Sequence, residues 1–253
     1  MQHATIQGVA VSADEIAITP GNSAALGMLF SNHRLRRQQP AQPGQGQQQP
    51  SAVVEHPTYF LSRDMLLDAG IAGRGCAVDR EGIRLDELRK ICAAGDAPAL
   101  VYLNPNFHNP TGSVLSQERR EELISLAVEY DFLVLSDEPY NLLCFDDGAG
   151  GTTAARPLAL EPGATGHVLS LGSFSKILAP GLRIGWMQGA KTEPAFCFFS
   201  LTLLMMKSPV CPDKLRTEHN GKCNIENGRV SQVTQSCLRR PGRVQVRFPH
   251  ALI

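Results

Sequence analysis

The 253-residue chain sets 24 lysines and arginines against 24 aspartates and glutamates, and this neutral balance gives no long-range field suited to nucleic acid or an anionic membrane. Its 43% apolar content is enough for a globular core, yet the longest apolar run, Ala195 to Met206, is broken by Ser200 and Thr202 and is shorter than the roughly 20 residues that span a bilayer. Seven scattered cysteines show neither a Cys-x-x-Cys pair nor a metal-ligand rhythm, and Met1 to Ala10 lacks the regions of a secretory signal, so reduced thiols, no metal and a cytoplasmic setting are expected.

In chain order, Ile16-Ala17-Ile18 reads as a short strand, and Gly21-Asn22-Ser23 opens a helix from Ala24 to Phe30. The stretch Asn32 to Pro50 is rich in Gln, Pro and Arg; with almost nothing to bury, it cannot offset its ordering entropy and is expected to be a disordered loop. From Ser51 to Gly189, the apolar runs Ala52–Val54, Leu100–Leu103, Phe132–Leu135, Val168–Leu171 and Ile184–Trp186 alternate with helical stretches. Runs of this kind read as strands buried on both faces, which predicts a largely parallel sheet covered by helices. One helix is well marked: Ser116 is a candidate N-cap, Glu118 lies in the first turn, and Leu123, Leu126, Ala127 and Tyr130 share a face. Beyond Gly189 neither helical nor strand periodicity persists. The expectation is a large domain over 1–189, with an insertion at 32–50, and a divergent, poorly ordered tail over 190–253.

Three segments carry chemistry: Asn109-Pro110-Thr111-Gly112, Asp137-Glu138-Pro139-Tyr140, and Ser173-Phe174-Ser175-Lys176 followed by Arg183. Each lies just after a predicted strand, where the loops of an α/β sheet form a ligand crevice. A lysine that binds an aldehyde cofactor must lose its proton, and a buried carboxylate can keep a pyridine nitrogen protonated; Lys176 and Asp137 fit these roles. A phosphate suits a helix N-terminus and an arginine, supplied by Gly21-Asn22-Ser23 and by Arg183 with Ser173 and Ser175. Each segment alone also has a plain reading as a turn, a surface loop, a helix cap or a solvated charge, and Tyr59 as ordinary core. It is their common order and spacing that argues for a site.

That order resembles the fold-type I pyridoxal-phosphate (PLP)-dependent aminotransferases of class I/II. The wording Pro105-Asn106-Phe107-His108-Asn109-Pro110-Thr111-Gly112 and Lys176-Ile177-Leu178-Ala179-Pro180-Gly181-Leu182-Arg183-Ile184-Gly185-Trp186 is most similar to the branch of aminoadipate and kynurenine aminotransferases and the aminotransferase-like halves of some bacterial regulators. The resemblance covers about 15 to 190 without the Gln-rich stretch. It implies a three-layer α/β/α large domain with a mostly parallel sheet, a small domain that is largely absent, and a chain truncated at both ends relative to the family. It further implies a transaminase acting on an amino acid and a 2-oxo acid, working as a homodimer. Lys176 would hold PLP as a Schiff base and move the substrate proton, with Asp137 on the pyridine nitrogen and Asn109 and Tyr140 on the phenolic oxygen. Tyr59 would stack on the ring, and Asn22, Ser23, Ser173, Ser175 and Arg183 would hold the phosphate. No arginine of the tail matches a carboxylate-binding motif. The alternatives are a catalytically impaired PLP-binding fragment, a decarboxylase or lyase on the same fold and, disfavoured by the neutral charge and by the lack of a winged-helix segment before residue 15, a regulator half.

Overall fold

The computed structural model describes residues 3–6, 9–37, 51–143, 156–189, 225–226 and 229–230. The chain divides into two compact units, Met1–Leu204 and Met205–Ile253. The first begins with a hairpin of β1 (His3–Ile6) and β2 (Val9–Ser12), followed by β3 (Ile16–Thr19), α1 (Asn22–Arg37), β4 (Ser51–His56), α2 (Phe60–Asp68), β5 (Ala72–Asp79), β6 (Gly82–Ile83) and α3 (Leu85–Ile91). Then come β7 (Leu100–Leu103), α4 (Gln117–Tyr130), β8 (Leu133–Asp137), β9 (Val168–Ser173) and β10 (Gly185–Gln188). Among the described residues the second unit holds one short antiparallel ladder, β11 (Ile225–Glu226) with β12 (Arg229–Val230).

Eight strands form one sheet in the order β3-β10-β9-β8-β7-β4-β5-β6. The five strands β9, β8, β7, β4 and β5 are mutually parallel. Strand β10 runs against both β9 and β3, with Gly185 opposite Ser173 on one side and Thr19 on the other, so β3 points the same way as the parallel set. The C-terminal ends of β3, β4, β7, β8 and β9 and the start of β10 therefore share one sheet edge.

Side chains alternate across each strand and feed two cores. Val53, Val101, Leu103, Val134 and Val168 pack under α3 and α4 with Leu88, Leu123 and Leu126. Ala52, Leu100, Tyr102, Leu135, Leu169 and Leu171 pack with Leu26, Leu29 and Phe30 of α1 and Leu66 of α2. Ser116 caps α4, its hydroxyl accepting from the Arg119 N–H at 3.4 Å, and Asp131 ends the helix in a left-handed conformation at φ 54°. These are the three layers read from the apolar runs. Strand β9 also has a close approach that only glycine permits, since a Cβ on Gly172 would lie 2.1 Å from Cε2 of Trp186.

Three features differ from the sequence expectation. Helix α1 continues to Arg37, into the stretch expected to be a loop, because Arg34, Leu35, Arg36 and Arg37 are all good helix formers before the Gln/Pro-rich run begins. The run Ile184–Trp186 becomes an antiparallel strand, a direction that hydropathy does not encode. The β1–β2 hairpin, β5, β6, α2 and α3 had no place in the apolar pattern. The expectations for 38–50 and for most of 190–253 fall outside the described residues.

Candidate active site

Asp137 closes β8 and is 4% exposed. Its Oδ1 accepts from Asn22 Nδ2 at 2.6 Å and its Oδ2 from the Tyr102 hydroxyl at 2.9 Å; Asn104 Nδ2 donates to its carbonyl at 2.7 Å. Burial pushes the Asp137 carboxyl above its ordinary range, and the hydrogen bonds from Asn22 and Tyr102 pull it back by favouring the anion. The same loss of solvent, with the nearby Asp137 charge, drives the Tyr102 phenol well above its ordinary range and keeps it a donor.

A second carboxylate supports the neighbouring loop. Glu55, 1% exposed at the end of β4, accepts the Asn104 N–H at 2.7 Å and lies 3.1 Å from Nε2 of His108. His108 Nδ1 in turn meets Thr111 Oγ1 at 2.7 Å, so the loop bearing Asn109 is tied on both sides of that residue. Burial raises the Glu55 carboxyl, opposed by the His108 contact. Phe107 in this loop holds a positive φ of 54°, as does Arg183 at 51°; each is a left-handed conformation that costs a non-glycine residue about 1–2 kcal/mol, the kind of local strain found at functional loops.

Tyr59 follows β4 and is half-buried, with Phe60 edge-on at 5.4 Å. Its phenol is raised by burial and then by the charges of Asp137 and Tyr140. Tyr140 and Asn109 are both half-buried.

At the other side of the edge, the Ser173 hydroxyl accepts the Ser175 N–H at 3.1 Å, holding the turn after β9 that carries Lys176. Lys176 is exposed at the middle of that turn. Arg183, leading into β10, reaches across to α1, its Nη2 donating to the Pro20 carbonyl at 3.2 Å. Gly21, at φ 89°, makes room for it: a Cβ there would lie 2.6 Å from Arg183 Nη2. Arg183, Ser173, Ser175 and the start of α1 with Ser23 are thus gathered at one corner. The Asn22 side chain is turned to Asp137.

Sequence reasoning missed Tyr102, Asn104, Glu55 and His108. The signal was available for two of them, since Tyr102 and Glu55 are polar groups inside runs otherwise suited to full burial. Among the described residues there is no cluster of His, Cys, Asp or Glu able to hold a metal, and no helix long and apolar enough to cross a membrane.

Comparison with known proteins agrees with this geometry. The family model described as aminotransferase class I and II matches residues 52–210. An uncharacterized HTH-type transcriptional regulator of Bacillus subtilis, YdfD, is 33% identical over 183 residues, covering 72% of this chain and 34% of that protein. The mitochondrial kynurenine/alpha-aminoadipate aminotransferase of Bos taurus is 33% identical over 149 residues, 55% of this chain and 34% of that one. Among solved structures, the Pyrococcus horikoshii kynurenine aminotransferase in complex with PMP superposes with a TM-score of 0.62 at 31% identity, over 78% of this chain and 45% of that one. The chain therefore spans about a third of the length of these curated relatives.

Proposed function

Because the chain belongs to the class I and II aminotransferases, we propose that it holds pyridoxal 5′-phosphate in the strand-end crevice and moves an amino group between an amino acid and a 2-oxo acid. The observation that carries this reading is that the segments bearing Asn22, Tyr59, Asn109, Tyr140, Lys176 and Arg183 flank strand ends on one sheet edge, where Asp137 is buried.

The residues fit the cofactor at both of its ends. A carboxylate offers about four acceptor positions, and Asp137 receives two hydrogen bonds from described side chains, so it can take a further ring N–H. Nearby, a Cβ on Gly185 would lie 2.8 Å from Thr19 Oγ1 and 3.1 Å from Asn22 Oδ1. Both oxygens are buried without a hydrogen-bond partner among the described residues, which suits a polar group that the crevice receives from outside.

When bound, pyridoxal phosphate supplies an aldehyde and an electron-withdrawing ring. Lys176 would hold the aldehyde carbon through Nζ and, once the substrate amine displaces it there, would carry a proton to and from the substrate α-carbon. Asp137 would hold the ring N–H, Asn109 and Tyr140 would hydrogen-bond the phenolic oxygen, and Tyr59 would pack against the ring face. The N–H groups of Asn22 and Ser23, the hydroxyls of Ser173 and Ser175 and the guanidinium of Arg183 take the phosphate. Phe60 and Leu178, 62% and 71% exposed beside Tyr59 and Lys176, support a homodimer that covers them. The free thiols of Cys76 and Cys92 suit a reducing compartment such as the cytoplasm.

Adding pyridoxal phosphate to the purified chain should produce a visible absorption band that borohydride fixes on the peptide containing Lys176, and an amino donor should bleach it. A Lys176→Ala protein that kept full transamination would end this reading. A trapped band that no amino donor bleaches would assign cofactor binding without turnover.

A further inference from the structure

One residue after Asp137 the chain buries another carboxylate, on the opposite face of the sheet. Glu138 is 5% exposed. Its Oε1 accepts from Ser136 Oγ at 2.6 Å, Ser170 Oγ at 2.7 Å and the Leu158 N–H at 3.0 Å; its Oε2 accepts from Asn141 Nδ2 at 2.8 Å. Ser170 Oγ also accepts the Ala159 N–H at 2.9 Å, which leaves its proton for Glu138. The path continues from the Oε2 side. Asn141 Oδ1 accepts from Asn106 Nδ2 at 2.5 Å, and Asn106 Oδ1 accepts from Arg120 Nη1 at 3.2 Å. Arg120, on α4 and 3% exposed, is held in turn by Glu161 at 3.0 Å and by the Arg156 carbonyl.

This path has a fixed direction. Arginine offers only donors and an ionised carboxylate only acceptors, so every amide between them must point its nitrogen toward Glu138 and its oxygen toward Arg120. The path also joins two loops. Asn141 and Glu138 flank Tyr140, while Asn106 belongs to the segment between β7 and α4 that carries Asn109.

We propose that Glu138 and Asn106 are positioning residues, whose one-way hydrogen-bond path locks the Asn109 loop to the Tyr140 loop so that both side chains meet the cofactor's phenolic oxygen as one unit. The role assigned to that pair rests on the function proposed above; the coupling of the two loops does not.

Glu138→Gln is nearly isosteric, yet no orientation of the new amide satisfies every neighbour. With its oxygen toward Leu158, its nitrogen faces Asn141, and flipping Asn141 and then Asn106 in response puts an amide nitrogen against Arg120. With its nitrogen toward Leu158, the new amide N–H faces the Leu158 N–H, donor against donor. Asn106→Ala cuts the path from the other loop and leaves Glu138 in place. Leu66→Ala, on α2 in the core of the opposite sheet face, serves as a variant of general destabilisation away from the path.

Amide hydrogen exchange on the cofactor-free protein reads the coupling directly. Each path variant should speed exchange at least about tenfold in both 104–113 and 138–143, where Leu66→Ala spares the pair. Acceleration confined to the substituted loop in both variants would overturn the proposal. With pyridoxal phosphate bound, the pH midpoint of the visible band should move by about half a unit or more in both variants, because the donors to the phenolic oxygen are displaced. An unmoved midpoint in a cofactor-loaded Glu138→Gln or Asn106→Ala protein would remove the positioning role. A wild-type chain that forms no band would defeat the proposed function alone, and the exchange data would still decide the coupling.

Discussion

Tyr102→Phe removes one oxygen from the centre of the molecule and little else. The ring is fully buried and packs edge-on against Phe30 at 6.3 Å, a contact phenylalanine retains. What disappears is the 2.9 Å donor to Asp137 Oδ2. A hydrogen bond to a charged group contributes about 1.5–3 kcal/mol, and burial at Asp137 leaves little solvent to replace it. Unfolding in urea should therefore register a loss of about 1.5–3 kcal/mol, or a melting temperature lower by about 3–12 °C. The donor favours the anion, so its removal raises the Asp137 carboxyl further. The effect on stability is then full above the folded pKa of Asp137 and fades as pH falls through it. Pyridoxal phosphate should bind roughly tenfold more weakly for each 1.4 kcal/mol lost from the ionised carboxylate. A variant as stable as the parent in mildly alkaline buffer, or one destabilised equally in acid and in alkali, would refute the reasoning.

Gly172→Ala should destabilise by about 1–3 kcal/mol or more through overpacking, since the new methyl meets the Trp186 ring at 2.1 Å between two paired strands; Trp186 is the sole tryptophan, so its emission reports the displacement directly, and an unshifted spectrum with parent stability would count against the packing described. Gly21→Ala combines a φ of 89° with a Cβ 2.6 Å from Arg183 Nη2. The flexible guanidinium can swing away, so the stability loss should stay near the roughly 1–2 kcal/mol of a left-handed alanine while pyridoxal-phosphate affinity falls more steeply; equal affinity in the variant would separate Arg183 from the phosphate. Glu55, Glu138 and Asp137 are all raised by burial, from ordinary values of 4.5, 4.5 and 3.8. Above those values the unfolded chain has released protons that the folded chain still holds, so stability should fall as pH climbs from the ordinary carboxylate range to the raised folded values. Asp79, lowered by its hydrogen bond to Arg119, adds a small opposite slope below 3.8, where protonation removes its pairing. Urea titrations that show stability rising steadily from the carboxylate range to neutrality would contradict this sign.

The central strands were legible because each is buried on both faces, which writes an uninterrupted apolar run such as Leu100–Leu103 into the sequence. Strand β5 was not, because Ala72-Gly73-Arg74-Gly75 pairs through its backbone while its side chains stay exposed, leaving no hydropathic trace. Strand direction was equally hidden, since β10 packs like its parallel neighbours and differs only in the sense of its hydrogen bonds. In the site, the segments with recognisable order yielded Asp137, Tyr140, Ser173, Lys176 and Arg183. The residues that hold them, Glu55, Tyr102, Asn104, Asn106 and His108, come from other strand ends, and nothing local to the motif announces a partner 30 or more positions away. Asn22 shows the limit from the other side: its position at a helix start was read correctly, but its side chain turned to a carboxylate 115 residues distant.

The pair Asp137 and Glu138 shows what the fold adds to the motif. The two acids are adjacent, similar and both buried, and sequence alone gives no physical reason to prefer the first as the cofactor's partner. Strand alternation sends them to opposite faces. There, Glu138 meets four donors, about as many as a carboxylate has acceptor positions, and its charge is consumed in tying β8, β9 and the 158 turn together. Asp137 meets two side-chain donors from the described residues and lies at the edge where Asn22, Tyr59 and Tyr140 gather. A buried carboxylate with half its acceptor capacity uncommitted is costly to the folded chain unless a further cation or N–H completes it. That unequal saturation, rather than the order of letters, supports the proposed pairing of Asp137 with a ring N–H and leaves Glu138 to the scaffold.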